Sequence, residues 1–330
     1  VTTLVTGATG LVGGRVVEAL AERGESVRAL VRRGSDPAAV QRLEAAGAEV
    51  VRGDVTDAAT VRDAVGGCEV VQHLAAPRAR SKRSAAEHQA VTVTGTENVL
   101  RAAADAAAHV VFGSTGGVSG PFRGTPLPEG PPASNGNPYH AAKARAERLV
   151  ERAARRDGVS AVVARLSAVY GPGDLRWLRL FRDSLGAGPL LPAGGRLPYH
   201  LTHVRDAALG LLLCGERRGA PAPCWHIAAD PVPTLRDVVE AVASAAGTPV
   251  RVRALPPGPV RAALAAARPL AGLGIGSSFL HKAETFAWGR AYDTSRAARE
   301  LGFRSRIALR DGVRELLGWY VDHGRLRLPG

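Results

Sequence analysis

"TTLVTGATGLVGG", residues 2–14, decides how the rest of the chain is read. A short β-branched run ends at Gly7, a helical pattern starts at Leu11, and Gly7, Gly10 and Gly13 punctuate the junction. A glycine triplet between a strand and a helix has a physical purpose. One glycine makes the turn, one lets a pyrophosphate approach the backbone, and one lets the helix pack closely. The unpaired N–H groups at the helix start, with the helix dipole behind them, favour the phosphates. Thr9, Gly10, Leu11, Val12 and the three glycines are therefore the expected pyrophosphate loop.

Outward from this loop, apolar runs alternate with segments of helical length. Strands are expected at 3–6, 26–31, 48–51, 68–74, 109–113 and 160–166, and helices from 11, then near 37–46, 57–65, 85–107 and 139–154. Runs of four to seven residues rich in Val suit strands buried on both faces. The pattern predicts an α/β fold, a Rossmann-type doubly wound parallel sheet, over residues 1–171. Beyond 171, Pro and Gly interrupt isolated helices near 204–216, 234–246, 258–272, 294–301 and 309–323. This reads as a smaller C-terminal substrate-binding lobe over 172–330, with the helix near 204–216 and a strand near 224–228 as candidates to return to the sheet. Residues 123–138, "RGTPLPEGPPASNGNP", must form a loop.

The 330 residues, 45% hydrophobic, are enough for a large core. No run approaches a membrane span and no signal segment opens the chain, so a cytoplasmic protein is expected. Cys68, Cys214 and Cys224 lack metal-ligand spacing and read as buried thiols, with no metal expected. The formal charge of +13 comes from basic residues that are Arg at 40 of 43 positions and are scattered among acids, which argues against a nucleic-acid partner. One dense cluster, "RARSKR" at 78–83, follows the fourth strand. It is either a solvated loop or a contact for an anionic handle such as a thioester-linked phosphopantetheine on a carrier.

At the end of the second strand, where an acidic residue would hold the ribose hydroxyl of NAD, the chain has Val31-Arg32-Arg33. Two guanidiniums suit the additional phosphate of NADP. Farther along, Tyr139-His140-Ala141-Ala142-Lys143 forms Y-x-x-x-K, in a chain with three lysines. Positions i and i+4 share a helix face, so the Lys143 ammonium is expected beside the Tyr139 hydroxyl, lowering its pKa.

With "TGATGLVG" and Y-x-x-x-K together, the chain resembles the extended short-chain dehydrogenase/reductase family, within the NAD(P)-dependent epimerase/dehydratase superfamily. "GDVTD" (53–57), "HLAA" (73–76), "VTGTENVL" (93–100), "GSTGGVSG" (113–120), "RLSAVYGPGD" (165–174) and "DTSRAARELGF" (293–303) carry the likeness over nearly the whole length. The resemblance implies that Asp54 and Val55 bracket the adenine. It also places Ala75, Ala76 and Leu166 in the cofactor cleft, has Lys143 hold the nicotinamide ribose, and makes Tyr139 the acid/base. It further implies a hydroxyl donor to the substrate oxygen at the end of the fifth strand, Thr115 or Ser114.

Departures from the family pattern narrow the chemistry. Dehydratases of sugar nucleotides carry Asp-Glu after the catalytic Thr, where this chain has Gly116-Gly117. Sugar-nucleotide enzymes tend to have Asn at Ala168 and Arg at Tyr199, both serving the diphosphate. "LPYHLTHV" (197–204) is instead apolar and aromatic, suiting a lipophilic ketone. Thr92 stands where the family often has Asn and is expected to hydrogen-bond the backbone in its place. Residues 256–276 resemble the bacterial 3β-hydroxysteroid dehydrogenase-like branch. Arg261, Arg268 and Pro269 there point to a lid or dimer helix rather than a span, leaving a weak membrane-surface association open.

The expectation is an NADP(H)-dependent ketoreductase or alcohol dehydrogenase acting on a hydrophobic small molecule of steroid, lipid or polyketide type, in secondary metabolism, as a possible homodimer. The substrate is expected against Thr115, Gly116, Tyr170, Tyr199 and His203. The alternatives are a sugar-nucleotide epimerase or 4-ketoreductase, and a non-catalytic NADP-sensing regulator.

Overall fold

The computed structural model describes residues 1–77, 84–120, 122, 124–133, 137–218, 222–272 and 277–328, with the side chains of 268–272 and 277–282 excepted. The basic cluster at 78–83 and the side chains of Arg268 and Pro269 lie outside the described residues. The first part of the chain runs β1 (Thr2–Thr6), α1 (Leu11–Glu22), β2 (Ser26–Val31), α2 (Pro37–Ala45), β3 (Glu49–Arg52), α3 (Ala58–Val65), β4 (Val70–His73), α4 (Ala85–His88), α5 (Gly95–Asp105), β5 (His109–Thr115), α6 (Pro138–Arg156) and β6 (Ala161–Leu166). There follow β7 (Ala168–Tyr170), α7 (Leu178–Leu185), β8 (Leu190–Pro192), β9 (Leu201–His203), α8 (Val204–Glu216), β10 (Cys224–Ile227), α9 (Leu235–Ala245), β11 (Arg253–Leu255), α10 (Pro257–Gly272), α11 (Ser277–Trp288), α12 (Ser295–Glu300) and α13 (Leu309–Asp322).

Seven strands pair in the order β10-β6-β5-β4-β1-β2-β3, all parallel. Alternate residues of each strand feed two cores. Val5 and Val111 pack with Val16, Leu20, Val40 and Leu211 under α1, α2 and α8. Leu4, Val110 and Phe112 pack with Val61, Val99 and Val150 under α3, α5 and α6. Both faces are therefore covered, which is why the strands read as unbroken apolar runs rather than alternating ones. Two elements beyond residue 171 belong to this sheet: β10 pairs with β6 from Cys224↔Val163 to Ile227↔Leu166, and α8 packs across α1.

A third core joins α7, α9 and α13 through Phe181, Val238, Leu316 and Tyr320. Helices α10 and α11 pack on each other around Leu264 and Ala287, and Arg261 donates to the Ala287 carbonyl at 2.9 Å while its guanidinium lies over the Trp288 ring. Arg261 is thus a clasp between two helices. Among the described residues no helix is long and apolar enough to cross a membrane.

The helix expected over 85–107 is not continuous. Between α4 and α5 the backbone widens into a π-helical turn at Gln89–Thr94. Hydrophobic spacing cannot signal this change of pitch, because it leaves the same face apolar. Gly95 follows it, and a Cβ there would come within 2.9 Å of Val55 Cγ2.

Side chains cap several helices. Asp36 caps α2, Asp57 caps α3, and Thr234 with Asp237 forms a capping box on α9. For α6, Asn137 accepts from the Tyr139 N–H at 2.9 Å, and Pro138 follows at the first helical position. This cap sets the start of the helix that carries Tyr139. Asn137→Ala is expected to lower unfolding free energy by about 1 kcal/mol in urea denaturation. A loss under a tenth of that would show that the cap is redundant.

Candidate active site

Helix α1 differs from the capped helices in having Gly10 at its N-cap and no side-chain cap. Its first N–H groups face the glycine loop, as anion binding requires. Gly7 adopts a φ of +70°, and a Cβ there would come within 2.9 Å of the Leu74 and Ala75 backbone. A Cβ on Gly13 would come within 2.3 Å of the Gly7 carbonyl oxygen. These are close backbone approaches, and they form a cradle that side chains would fill.

A buried chain of hydrogen bonds joins the loop to the neighbouring elements. The Thr6 hydroxyl accepts from the N–H groups of Leu74 and Ala75 at 3.2 Å and lies 2.8 Å from His73 Nδ1. His73 Nε2 is 3.1 Å from the Thr96 hydroxyl, which donates to the Thr92 carbonyl. A consistent proton assignment has Nε2 donating to Thr96 and Nδ1 accepting from Thr6. Burial, reinforced by the Lys143 charge, holds the His73 pKa down at about 3, so the ring is neutral. The Thr92 hydroxyl is buried without a partner among the described residues. Contrary to expectation, the bond made at that turn uses its carbonyl.

At the far end of the cradle, a cavity of about 450 Å³ is lined by Arg33, Ser35, Pro37 and Arg52. Arg32 and Arg33 are exposed. Arg52 was not singled out from the sequence; it reaches the cavity because β3 pairs in register with β2, Arg52 opposite Val31. Asp54 forms a local turn, accepting from the Thr56 N–H and hydroxyl, and Asn98 holds the Val55 carbonyl at 2.9 Å. Ala75 and Ala76 are half-buried after β4, and Leu166 ends β6. Cradle and uncapped helix together fit the pyrophosphate of a nicotinamide dinucleotide.

Tyr139 and Lys143 stand on the first two turns of α6. Lys143 Nζ donates to the Gly113 carbonyl at 2.6 Å and lies 4.5 Å from the Phe112 ring centroid. Burial lowers the Lys143 pKa to about 8, with Glu147 opposing. Burial also pushes Tyr139 up to about 12, and the charge that opposes this is that of Arg176. This reverses the expected direction for Tyr139. In this arrangement desolvation dominates and Lys143 is committed to a backbone carbonyl, so the phenol is held protonated.

The two candidate hydroxyls are separated by their partners. Ser114 donates to Glu147, which is locked by Arg165 in a buried pair at 2.7 Å. Arg165 also donates to Ser119, which bonds His226. Thr115 is half-buried, and its oxygen accepts from the Gly117 N–H at 3.1 Å, leaving its proton for another acceptor. Gly116 and Gly117 are not merely permissive. A Cβ on Gly116 would meet the Tyr292 ring at 2.3 Å, and one on Gly117 would meet His140 Nε2 at 2.3 Å.

Tyr199 is half-buried, stacked on Phe286 with centroids 5.4 Å apart and edge-on to Trp177. Tyr170 and His203, expected against the substrate, are 4% and 1% exposed and pack edge to face. A Cβ on Gly312 would come within 2.5 Å of the Tyr170 hydroxyl and 2.9 Å of His203 Cδ2, so both belong to the packing beneath α13. Trp177, Phe286 and Arg176 were missed, since their stretches carry no motif and only tertiary packing joins them to Tyr199 and Tyr139.

A family model described as the NAD dependent epimerase/dehydratase family matches residues 3–225. The chain is 32% identical over 330 residues to the 4-hydroxy-2-methyl-3-oxo-4-farnesyl-3,4-dihydroquinoline-1-oxide ketoreductase of Stigmatella aurantiaca, covering 94% of each. It is 28% identical over 271 residues to a dTDP-glucose 4,6-dehydratase of Streptomyces niveus, covering 79% of this chain and 72% of that one. It also matches the uncharacterized protein y4nG of Sinorhizobium fredii at 28% identity over 214 residues, 64% of this chain, and spans about half the length of y4nG, 52%. Among solved structures, that of gox2253 superposes with a TM-score of 0.83 at 28% identity, covering 99% of both chains.

The depressed His73 pKa sets a pH dependence. Below the ordinary value of 6.5 the unfolded chain takes up a proton that folded His73 refuses until about pH 3. Stability is therefore expected to fall with pH between those values. The slope of unfolding free energy against pH should flatten in His73→Gln; an unchanged slope would show that other groups control it.

Proposed function

Because the chain belongs to the NAD dependent epimerase/dehydratase family, we propose that it is an NADP(H)-dependent ketoreductase, interconverting a ketone and a secondary alcohol on a hydrophobic, largely aromatic small molecule. The observation that carries this reading is the filled space behind Gly116 and Gly117. The Tyr292 and His140 rings stand where acid and base side chains for an elimination would have to be, and Tyr139, Thr115 and Lys143 remain. That set serves carbonyl–alcohol exchange. The Stigmatella relative, named as a ketoreductase, aligns along nearly its whole length, which supports the same reading.

When bound, the nicotinamide supplies the hydride equivalents. The chain's own residues would do the rest. Thr115 donates a hydrogen bond to the ketone oxygen, and Tyr139, protonated well beyond neutral pH, gives its proton to that oxygen as the alcohol forms. Lys143 carries positive charge below about pH 8, stabilising the phenolate left behind. Gly7, Gly10, Gly13 and the start of α1 would hold the pyrophosphate, and Arg33 and Arg52, with Arg32 adjacent, the additional phosphate. The aromatic wall of Trp177, Tyr199 and Phe286 would receive the apolar body of the substrate.

Nicotinamide absorbance followed against steroid, β-keto ester, aromatic and sugar-nucleotide ketones is expected to show turnover of the hydrophobic ketones with NADPH. Tyr139→Phe should reduce kcat at least about 100-fold. Turnover of sugar nucleotides alone would transfer the assignment to that branch of the family, and binding without turnover, unchanged in Tyr139→Phe, to a sensor. The kcat/KM for reduction is expected to fall above about pH 8 as Lys143 loses its proton, and Lys143→Arg should move that limb upward. Arg52→Ala is expected to raise the KM for NADPH about tenfold while leaving that for NADH nearly unchanged. Equal effects on both would remove Arg52 from the phosphate site.

A further inference from the structure

Arg176 is held on the loop after β7 with unusual completeness. Its Nε lies 2.8 and 3.0 Å from the Asp174 carboxylate oxygens, and one terminal nitrogen donates to Asp174 at 2.8 Å and to the Val169 carbonyl. Asp174 is itself buried, accepts from the Arg176 N–H at 2.9 Å, and receives the Tyr320 hydroxyl on its carbonyl at 2.5 Å. One edge of the guanidinium is consumed in this clamp. The other terminal nitrogen makes no bond among the described residues, and the side chain remains 44% exposed. A guanidinium so fixed loses little further freedom when it binds.

Its position relates it to the reaction. β7 pairs with β9 outside the seven-stranded sheet, but it begins two residues beyond the carboxyl end of β6, the edge at which ligands of such sheets bind, and the loop follows it. Burial would lower the Arg176 pKa, but hydrogen bonds to Asp174 raise it, and the Asp174 carboxylate and the phenols of Tyr199 and Tyr139 add to the rise. The same guanidinium is the charge that opposes the upward shift of Tyr139. The next residue, Trp177, presents a buried indole N–H with no acceptor among the described residues, and its ring stands edge-on to Tyr199. A buried donor left in that state is unfavourable, and an acceptor oxygen relieves it. A flat ring against Tyr199 and an anionic oxygen toward Arg176 are what these groups complement.

We infer that Arg176 is a specificity-determining residue, which selects aromatic ketones carrying an anionic oxygen such as a carboxylate. The inference rests on the ketoreductase reading for its substrate class and deepens it. The buried Asp174 carboxylate offsets part of the guanidinium charge, so the selectivity comes from directed N–H donors at short range more than from net field.

The test is a binding measurement independent of turnover. 2-Naphthoate and 2-naphthamide, which share a ring and differ in charge, are titrated by isothermal calorimetry into the full chain, with and without NADP⁺. Naphthoate is expected to bind at least about tenfold more tightly than naphthamide, equivalent to about 1.4 kcal/mol. Arg176→Gln should erase that preference and Arg176→Lys keep part of it. Equal affinities in the unaltered protein, no naphthoate binding, or a preference that survives in Arg176→Gln would each overturn the inference. Thermal melting of the variants confirms folding; if Arg176→Gln does not fold, the unaltered protein and Arg176→Lys decide. Absence of ketone turnover with an intact naphthoate preference would refute the ketoreductase reading alone.

Discussion

The Arg165–Glu147 pair lies almost wholly out of water, with side chains 1% and 5% exposed, and it fixes α6 against the sheet. Arg165 comes from β6, Glu147 from α6, Ser114 from β5, and Ser119 with His226 extends the network to β10. Desolvating two such charges is expensive, and only dense hydrogen bonding offsets it. The pair is a poor source of net stability and a strong source of position. Glu147 is four residues beyond Lys143, so the helix face pinned by the pair is the one that delivers Lys143 to Gly113 and Tyr139 to the cleft. Ser114 is drawn into the same network, while the Thr115 hydroxyl stays outside it and accepts from the Gly117 N–H.

Much of the sheet was legible because its signals are local. Val-rich runs mark strands covered on both faces, and the turns between them fall at Gly and polar residues. The glycine loop was legible because its three glycines occupy positions where a Cβ meets backbone. Other features depend on residues distant in sequence. The π-helical turn at Gln89–Thr94 keeps an apolar face facing inward and leaves no mark in the spacing. Gly116 and Gly117 read only as the absence of two acids, while the rings that require glycine there belong to Tyr292 and His140. Arg52, Trp177 and Phe286 reach the site by strand register and lobe packing. Tyr170 and His203 sat in suggestive motifs but are taken up by the packing under Gly312.

Electrostatics at the cleft follow from dryness. Burial alone drives Tyr139 upward and Lys143 downward, so two titration ranges that ordinarily almost coincide move apart. At neutral pH the phenol is therefore protonated and the lysine charged. The neutral His73 adds no competing charge, and its two ring bonds tie the ends of β1 and β4 together and β4 to α5.

The pairing of Gly116 with Tyr292 and of Gly117 with His140 also bears on how such a site evolves. An acidic side chain introduced at either glycine meets an aromatic or imidazole ring before it can meet a substrate, and trimming the ring first opens a void without supplying an acid. Each glycine is thus coupled to the ring that fills the space beside it, and a change of side chain at this turn requires both members of a pair to be substituted together.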